Sequence, residues 1–105
     1  MKGMEWVVRE ELETPIAGAY DVIVAGAGPA GVPAAVAAAR RGASVLLIES
    51  NGCLGGVWTA GLLTWVFDIE RTAIGAEIIE RLQRRNGCVL AEGESMQNFT
   101  YDVET

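Results

Sequence analysis

Apolar residues in this chain gather into stretches whose spacing differs from one to the next. Asp21-Val22-Ile23-Val24-Ala25 and Val45-Leu46-Leu47-Ile48 are short, nearly unbroken apolar runs. Bounded by turn residues, such runs predict buried strands of a parallel sheet. The residues between them, up to about Arg41, are rich in alanine, the best helix former. Gly42 falls where a helix C-cap belongs. The span from Tyr20 to Glu49 therefore reads as strand, glycine turn, helix, strand. Pro33 comes early in that helix, where a missing N–H costs little. Arg40 and Arg41 fall in its last turn, where cations complement the dipole, and read as solvated charges rather than ligands.

Further on, Ile74, Ile78 and Leu82 recur every four residues among Glu77, Glu80, Arg81 and Arg84. That pattern predicts an amphipathic helix from Ala73 to Arg85, with Thr72 as N-cap and Asn86-Gly87 as its end. Leu62 to Ile69, with Trp65 and Phe67, reads as core. A strand is expected near Phe99-Thr100-Tyr101, and Asp102 looks like the N-cap of another helix. Residues 1–19 form a polar lead-in arm. Within it Trp6-Val7-Val8 is apolar enough to pair as a short strand, while Pro15 and Gly18 punctuate the approach to the first apolar run.

The turn between the first strand and the helix changes the picture. Gly26-Ala27-Gly28-Pro29-Ala30-Gly31 is a G-x-G-x-x-G sequence set between a strand and a helix. Gly26 allows the sharp turn, Gly28 lets a pyrophosphate approach the backbone, and Gly31 permits close helix–strand packing. The helix N-terminus then presents N–H groups and a positive dipole end to the anion. Ala35 is small enough for the same tight packing. Glu49 lies 18 residues after Gly31, at the end of the second strand. A carboxylate there accepts hydrogen bonds from an adenosine ribose and repels a 2′-phosphate, which disfavours NADP. Directly afterwards, residues 50–61 contain four glycines. A loop at the carboxyl edge of an α/β sheet is where ligands bind, and Gly55-Gly56 would let backbone N–H groups reach a long cofactor.

Composition narrows the rest. At 105 residues the chain is one small domain with a modest core. A net charge of −6 without a basic cluster argues against nucleic acid and anionic membranes. Val22 to Ala39 carries no charge, but Gly26, Gly28, Pro29, Gly31 and Pro33 break it up as a membrane span. The acidic lead-in has the wrong sign for a signal peptide, so a cytoplasmic location is expected. There is no histidine, hence no commonest general base. Cys53 and Cys88, the two cysteines, form no metal-ligand cluster and read as free thiols. No residue stands out as a catalytic acid or base.

Gly-Ala-Gly-Pro-Ala-Gly, Glu49 and then Leu54-Gly55-Gly56 with Thr59-Ala60-Gly61 resemble the amino-terminal part of FAD-dependent oxidoreductases of the glutathione-reductase-like superfamily. The resemblance runs from about Pro15 to the end. It implies FAD in an extended form, with Gly26, Gly28, Pro29, Ala30 and Gly31 around the pyrophosphate and Glu49 on the adenosine ribose. Gly55, Gly56 and Thr59 would lie along the phosphate and ribityl part. Disulfide reductases of the superfamily carry a C-x-x-x-x-C pair here. Only Cys53 is present, which implies a packed thiol rather than a redox disulfide. Such enzymes usually need several hundred residues, so residues 20–105 are expected to be the amino-terminal part of an incomplete FAD/NAD(P)-binding domain, a Rossmann-like βαβ unit of α/β class. The chain alone is expected to be inactive, with substrate bound through other domains. Two other readings stay open at this point: an NAD-binding module of a dehydrogenase, and a non-enzymatic fragment.

Overall fold

The computed structural model describes residues 6–66, 69, 73–89 and 99–104. The first apolar run forms β1 (Val22–Ala25), the alanine-rich stretch α1 (Gly31–Arg40), and the second run β2 (Val45–Ile48). The two strands pair in parallel, with Val22 opposite Val45 and Ala25 opposite Ile48. Before β1, Asp21 and Ser44 tie the strand entries together. The Ser44 N–H and hydroxyl donate to Asp21 Oδ2 at 2.8 and 2.7 Å, and the Asp21 N–H donates back to Ser44 Oγ at 3.0 Å.

Local chemistry sets the bounds of α1. Pro33 is its third residue, a position whose N–H has no intrahelical acceptor. At the other end Gly42 takes φ +87°, its N–H donates to Ala39 O and the Ala43 N–H to Ala38 O. This double closure is the Schellman motif that a glycine at this position permits.

The carboxyl-terminal half supplies an antiparallel sheet that the apolar pattern does not announce. β3 (Trp65–Val66), β4 (Cys88–Val89) and β5 (Phe99–Tyr101) take the order β3-β5-β4. Against it lies α2 (Ala73–Arg84). Val66, Ile79 and Phe99 are buried together, with Trp58, Ile69, Leu82, Cys88 and Tyr101 packed around them. This is the main core.

Several expectations from the sequence need correction. The amphipathic helix expected over 73–85 is α2, but its most buried residue lies beside the half-buried Ile74–Ile78–Leu82 stripe. Ile79 is the buried residue, because α2 has two neighbours: Ile79 and Leu82 face the antiparallel sheet, while Ile74 and Ile78 line the gap toward α1. Leu62 and Leu63 are exposed, since the chain is still turning before β3; among the described residues of that stretch Val66 is buried and Ile69 packs on the core. Phe67 and Thr72 lie outside the described residues. Trp6-Val7-Val8 forms no strand and is exposed, as is all of 6–20. Arg40 is not a lone solvated charge: its guanidinium grips Glu77 of α2 with two bonds of 2.6 and 3.0 Å. Arg81 joins the same carboxylate. Together they hold the Glu77 carboxyl down at about 2, with Arg40 the main cause. Cys53 is not packed but exposed, because the loop carrying it runs along the surface; both cysteines are free thiols. Asp102 does cap a turn, accepting the Glu104 N–H at 3.1 Å. No helix among the described residues is long and apolar enough to cross a membrane.

Candidate dinucleotide site

The site is built where β1 and β2 end. Gly26 leaves β1 with φ +97°, a conformation that a side chain would strain, and its N–H donates to Ile48 O at 2.8 Å. The chain then reverses into α1. Gly31, at the first turn of α1, has no room for a side chain: a Cβ there would sit 1.8 Å from Gly26 O. Gly28 is different. It has no left-handed φ, and a Cβ built on it meets no atom within 4 Å. Neither backbone conformation nor packing requires glycine at this position, and the space in front of it is open.

Among the described residues, the N–H groups of Gly28, Ala30 and Gly31 have no protein partner. Val32 already donates to Gly28 O, and Pro33 has no N–H. The amino-terminal end of α1 therefore presents a small set of free donors at its positive dipole end.

Glu49 follows β2 and folds back over this turn. Its Oε2 accepts the Ala27 N–H at 2.8 Å. Its Oε1 takes the Asn51 N–H at 2.9 Å, Asn51 Nδ2 at 3.0 Å and the Ser50 hydroxyl at 3.2 Å. These donors, the Asn51 N–H first, lower the Glu49 carboxyl from 4.5 to about 2, so it is ionised at neutral pH. Oε1 is saturated, whereas Oε2 has one protein donor and keeps lone-pair capacity for a hydroxyl.

The second glycine segment lies against the first. The Gly55 N–H donates to Ala27 O at 2.7 Å. Gly56 takes φ +55°, and a Cβ on it would stand 3.0 Å from Gly28 Cα. A 3₁₀ turn at Gly56–Trp58 follows. Thr59 does not point its hydroxyl at open space but donates to Leu54 O at 2.5 Å. A cavity of about 210 Å³ opens beside the joint, lined by Gly28, Pro29, Val32, Leu54, Gly55 and Trp58 among others.

The structure thus brings all nine residues singled out in the sequence into one place: Gly26, Gly28, Pro29, Ala30, Gly31, Glu49, Gly55, Gly56 and Thr59. It adds Ala27, fully buried, whose N–H binds Glu49 and whose carbonyl binds Gly55. Ala27 joins the three parts through backbone atoms, which leave no mark on a sequence pattern. Asn51 was not singled out either, although an Asn two residues after an acid in a turn is placed to donate to it, as its N–H and Nδ2 do here.

Residues 21–105 match the sequence profile described as "FAD dependent oxidoreductase". The chain belongs to that family. FAD is the cofactor that membership assigns. Gly28 fits it by leaving the anion's approach open, and Glu49 by keeping a free acceptor. Among curated relatives, an uncharacterized protein in the nifH2 5′ region of Methanosarcina barkeri is 37% identical over 83 residues, 77% of this chain and 45% of its own length. A thiamine thiazole synthase of Aeropyrum pernix is 57% identical over 42 residues, 39% of this chain and 16% of that enzyme. The tRNA uridine 5-carboxymethylaminomethyl modification enzyme MnmG of Chlorobium phaeovibrioides is 44% identical over 73 residues, 60% of this chain and 11% of that enzyme. The chain spans less than half the length of each of these relatives. No solved structure matches it.

Proposed function

We propose that β1, α1 and β2 form a Rossmann-like unit that binds the adenosine and pyrophosphate part of FAD for a flavin-dependent oxidoreductase. Gly26 and Gly31 shape the turn; Gly28, Ala30 and Gly31 donate N–H groups to the pyrophosphate, with Pro29 presetting the backbone between them. Glu49 accepts a ribose hydroxyl at Oε2, and its ionised carboxylate repels a 2′-phosphate. Gly55 and Gly56 lie along the phosphate and ribityl part, and Thr59 holds their segment in shape. When bound, FAD supplies the group that accepts an electron pair from substrate, while the protein binds and orients it. Substrate is met by parts of a longer protein, and the chain alone turns nothing over.

Gly28 carries this reading. It is a glycine without a structural need to be one, set at a helix N-terminus among unpaired N–H groups. A plain structural turn would need Gly26 and Gly31 but would tolerate any small residue at 28.

The test is a visible absorbance titration of the purified chain with FAD, with NAD as control. A perturbed flavin spectrum that weakens on Gly28→Val or Glu49→Ala is the expected result. Binding of NAD in preference to FAD would assign the unit to a nicotinamide cofactor instead.

A further inference from the structure

Tyr101 lies far from the glycine turn in sequence, yet its side chain reaches the second glycine segment. β5 fixes its backbone, and its N–H donates to Thr64 O at 3.0 Å. Its hydroxyl stands within hydrogen-bonding distance of two backbone carbonyls, Trp58 O and Leu63 O, the latter at 2.7 Å. One phenol proton serves both acceptors. Burial pushes its pKa above the ordinary value, so it remains a protonated donor at neutral pH.

The two carbonyls sit on either leg of one compact turn. Inside it, Gly61 donates to Gly56 O, Leu63 to Val57 O and the Thr59 hydroxyl to Leu54 O. At its leading end the Gly55 N–H is bound to Ala27 O. The segment is therefore gripped at two points, by Ala27 of the first turn and by the Tyr101 hydroxyl from the antiparallel sheet. Trp58, between them, packs on the Val66–Ile79–Phe99 core.

We propose that Tyr101 is a positioning residue for the cofactor. Its hydroxyl fixes the segment from Leu54 to Leu63 so that Gly55 and Gly56 meet the pyrophosphate and ribityl part of FAD, while the AMP part depends on the first turn and Glu49. This inference rests on the FAD reading above.

Tyr101→Phe tests it, since phenylalanine keeps the ring in place and removes only the hydroxyl. Dissociation constants for FAD and for AMP are measured on the wild-type chain and the variant, with the ligand-free melting temperature as a check on folding. FAD affinity is expected to fall by about threefold to tenfold, the scale of one lost neutral hydrogen bond, with AMP affinity unchanged. Hydrogen exchange at the Gly55 amide is expected to speed up in the variant. General destabilisation would weaken both ligands together, and that result overturns the proposal; so does an unchanged FAD affinity or unchanged Gly55 protection. A wild-type chain that binds AMP but not FAD overturns the role of the second segment alone. One that binds neither overturns the FAD reading as well.

Discussion

Gly28 and Gly31 belong to one motif but do different work, and alanine separates them. At Gly31 an added Cβ lands 1.8 Å from Gly26 O and 2.9 Å from Gly26 C. Both are backbone atoms of the turn, so α1 must retreat from β1 by more than about 1 Å to restore ordinary contact. Overpacking of this kind costs about 1–3 kcal/mol, and a backbone obstacle puts Gly31→Ala at the upper end, ~3 kcal/mol. In a domain of this size that lowers the melting temperature by roughly 12–24 °C. At Gly28 a Cβ meets nothing within 4 Å and φ is not left-handed. Gly28→Ala should leave ligand-free stability within ~0.5 kcal/mol, or raise it slightly by restricting the unfolded chain. Its cost falls on binding. Holding a phosphate oxygen off one N–H forfeits a charge-assisted bond of about 1.5–3 kcal/mol, a loss of roughly tenfold to 150-fold in FAD affinity. Thermal melts with and without FAD, together with calorimetric titration, separate the two effects. If Gly28→Ala destabilised the ligand-free protein as much as Gly31→Ala, Gly28 would be structural. If it bound FAD as well as the parent, the cradle would be wrongly placed.

Four further outcomes are expected. Glu49→Gln presents an amide donor where the carboxylate meets only donors from Ala27, Ser50 and Asn51; FAD affinity should fall, and calorimetry reads it. The Glu49 carboxyl is depressed to about 2 in the fold. Its contribution to stability is thus fully present above pH 4.5 and lost as pH falls through about 2. Acid unfolding curves of Glu49→Gln should accordingly be flatter than the parent's in that window. Phe99→Ala empties the centre of the main core, where Phe99 is wholly buried; it should cost about 3–5 kcal/mol and lower the urea midpoint. Glu77→Gln releases Arg40 and Arg81 together; its effect on the melting temperature should shrink as salt is added, because these side chains are solvent-exposed.

The half that holds β1, α1 and β2 was largely legible because its signals are local. β1, α1 and β2 follow from two apolar runs, an alanine-rich stretch and three glycines, Gly26, Gly31 and Gly42, whose positions meet a steric or conformational demand. The acid at 49 was found by its place after the second run. What escaped was nonlocal or carried by backbone atoms. β3 and β4 have two residues each, too short to show a period of two. Ile79 was missed because α2 faces both α1 and a sheet, so a single stripe does not describe its burial. Arg40 was read as solvated because its partner Glu77 lies 37 residues away. Tyr101 acts on carbonyls 43 and 38 residues distant, which no spacing rule reveals.

In the proposed site, FAD sits on the amides between β1 and α1, with the second glycine segment beside them. Amide chemical-shift mapping during an FAD titration tests it most directly. Shifts should concentrate at Gly28, Ala30, Gly31, Asn51, Gly55 and Gly56, and AMP should reproduce only those of the first turn and of Asn51. Shifts centred on the outer face of α2, with these amides unmoved, would contradict it.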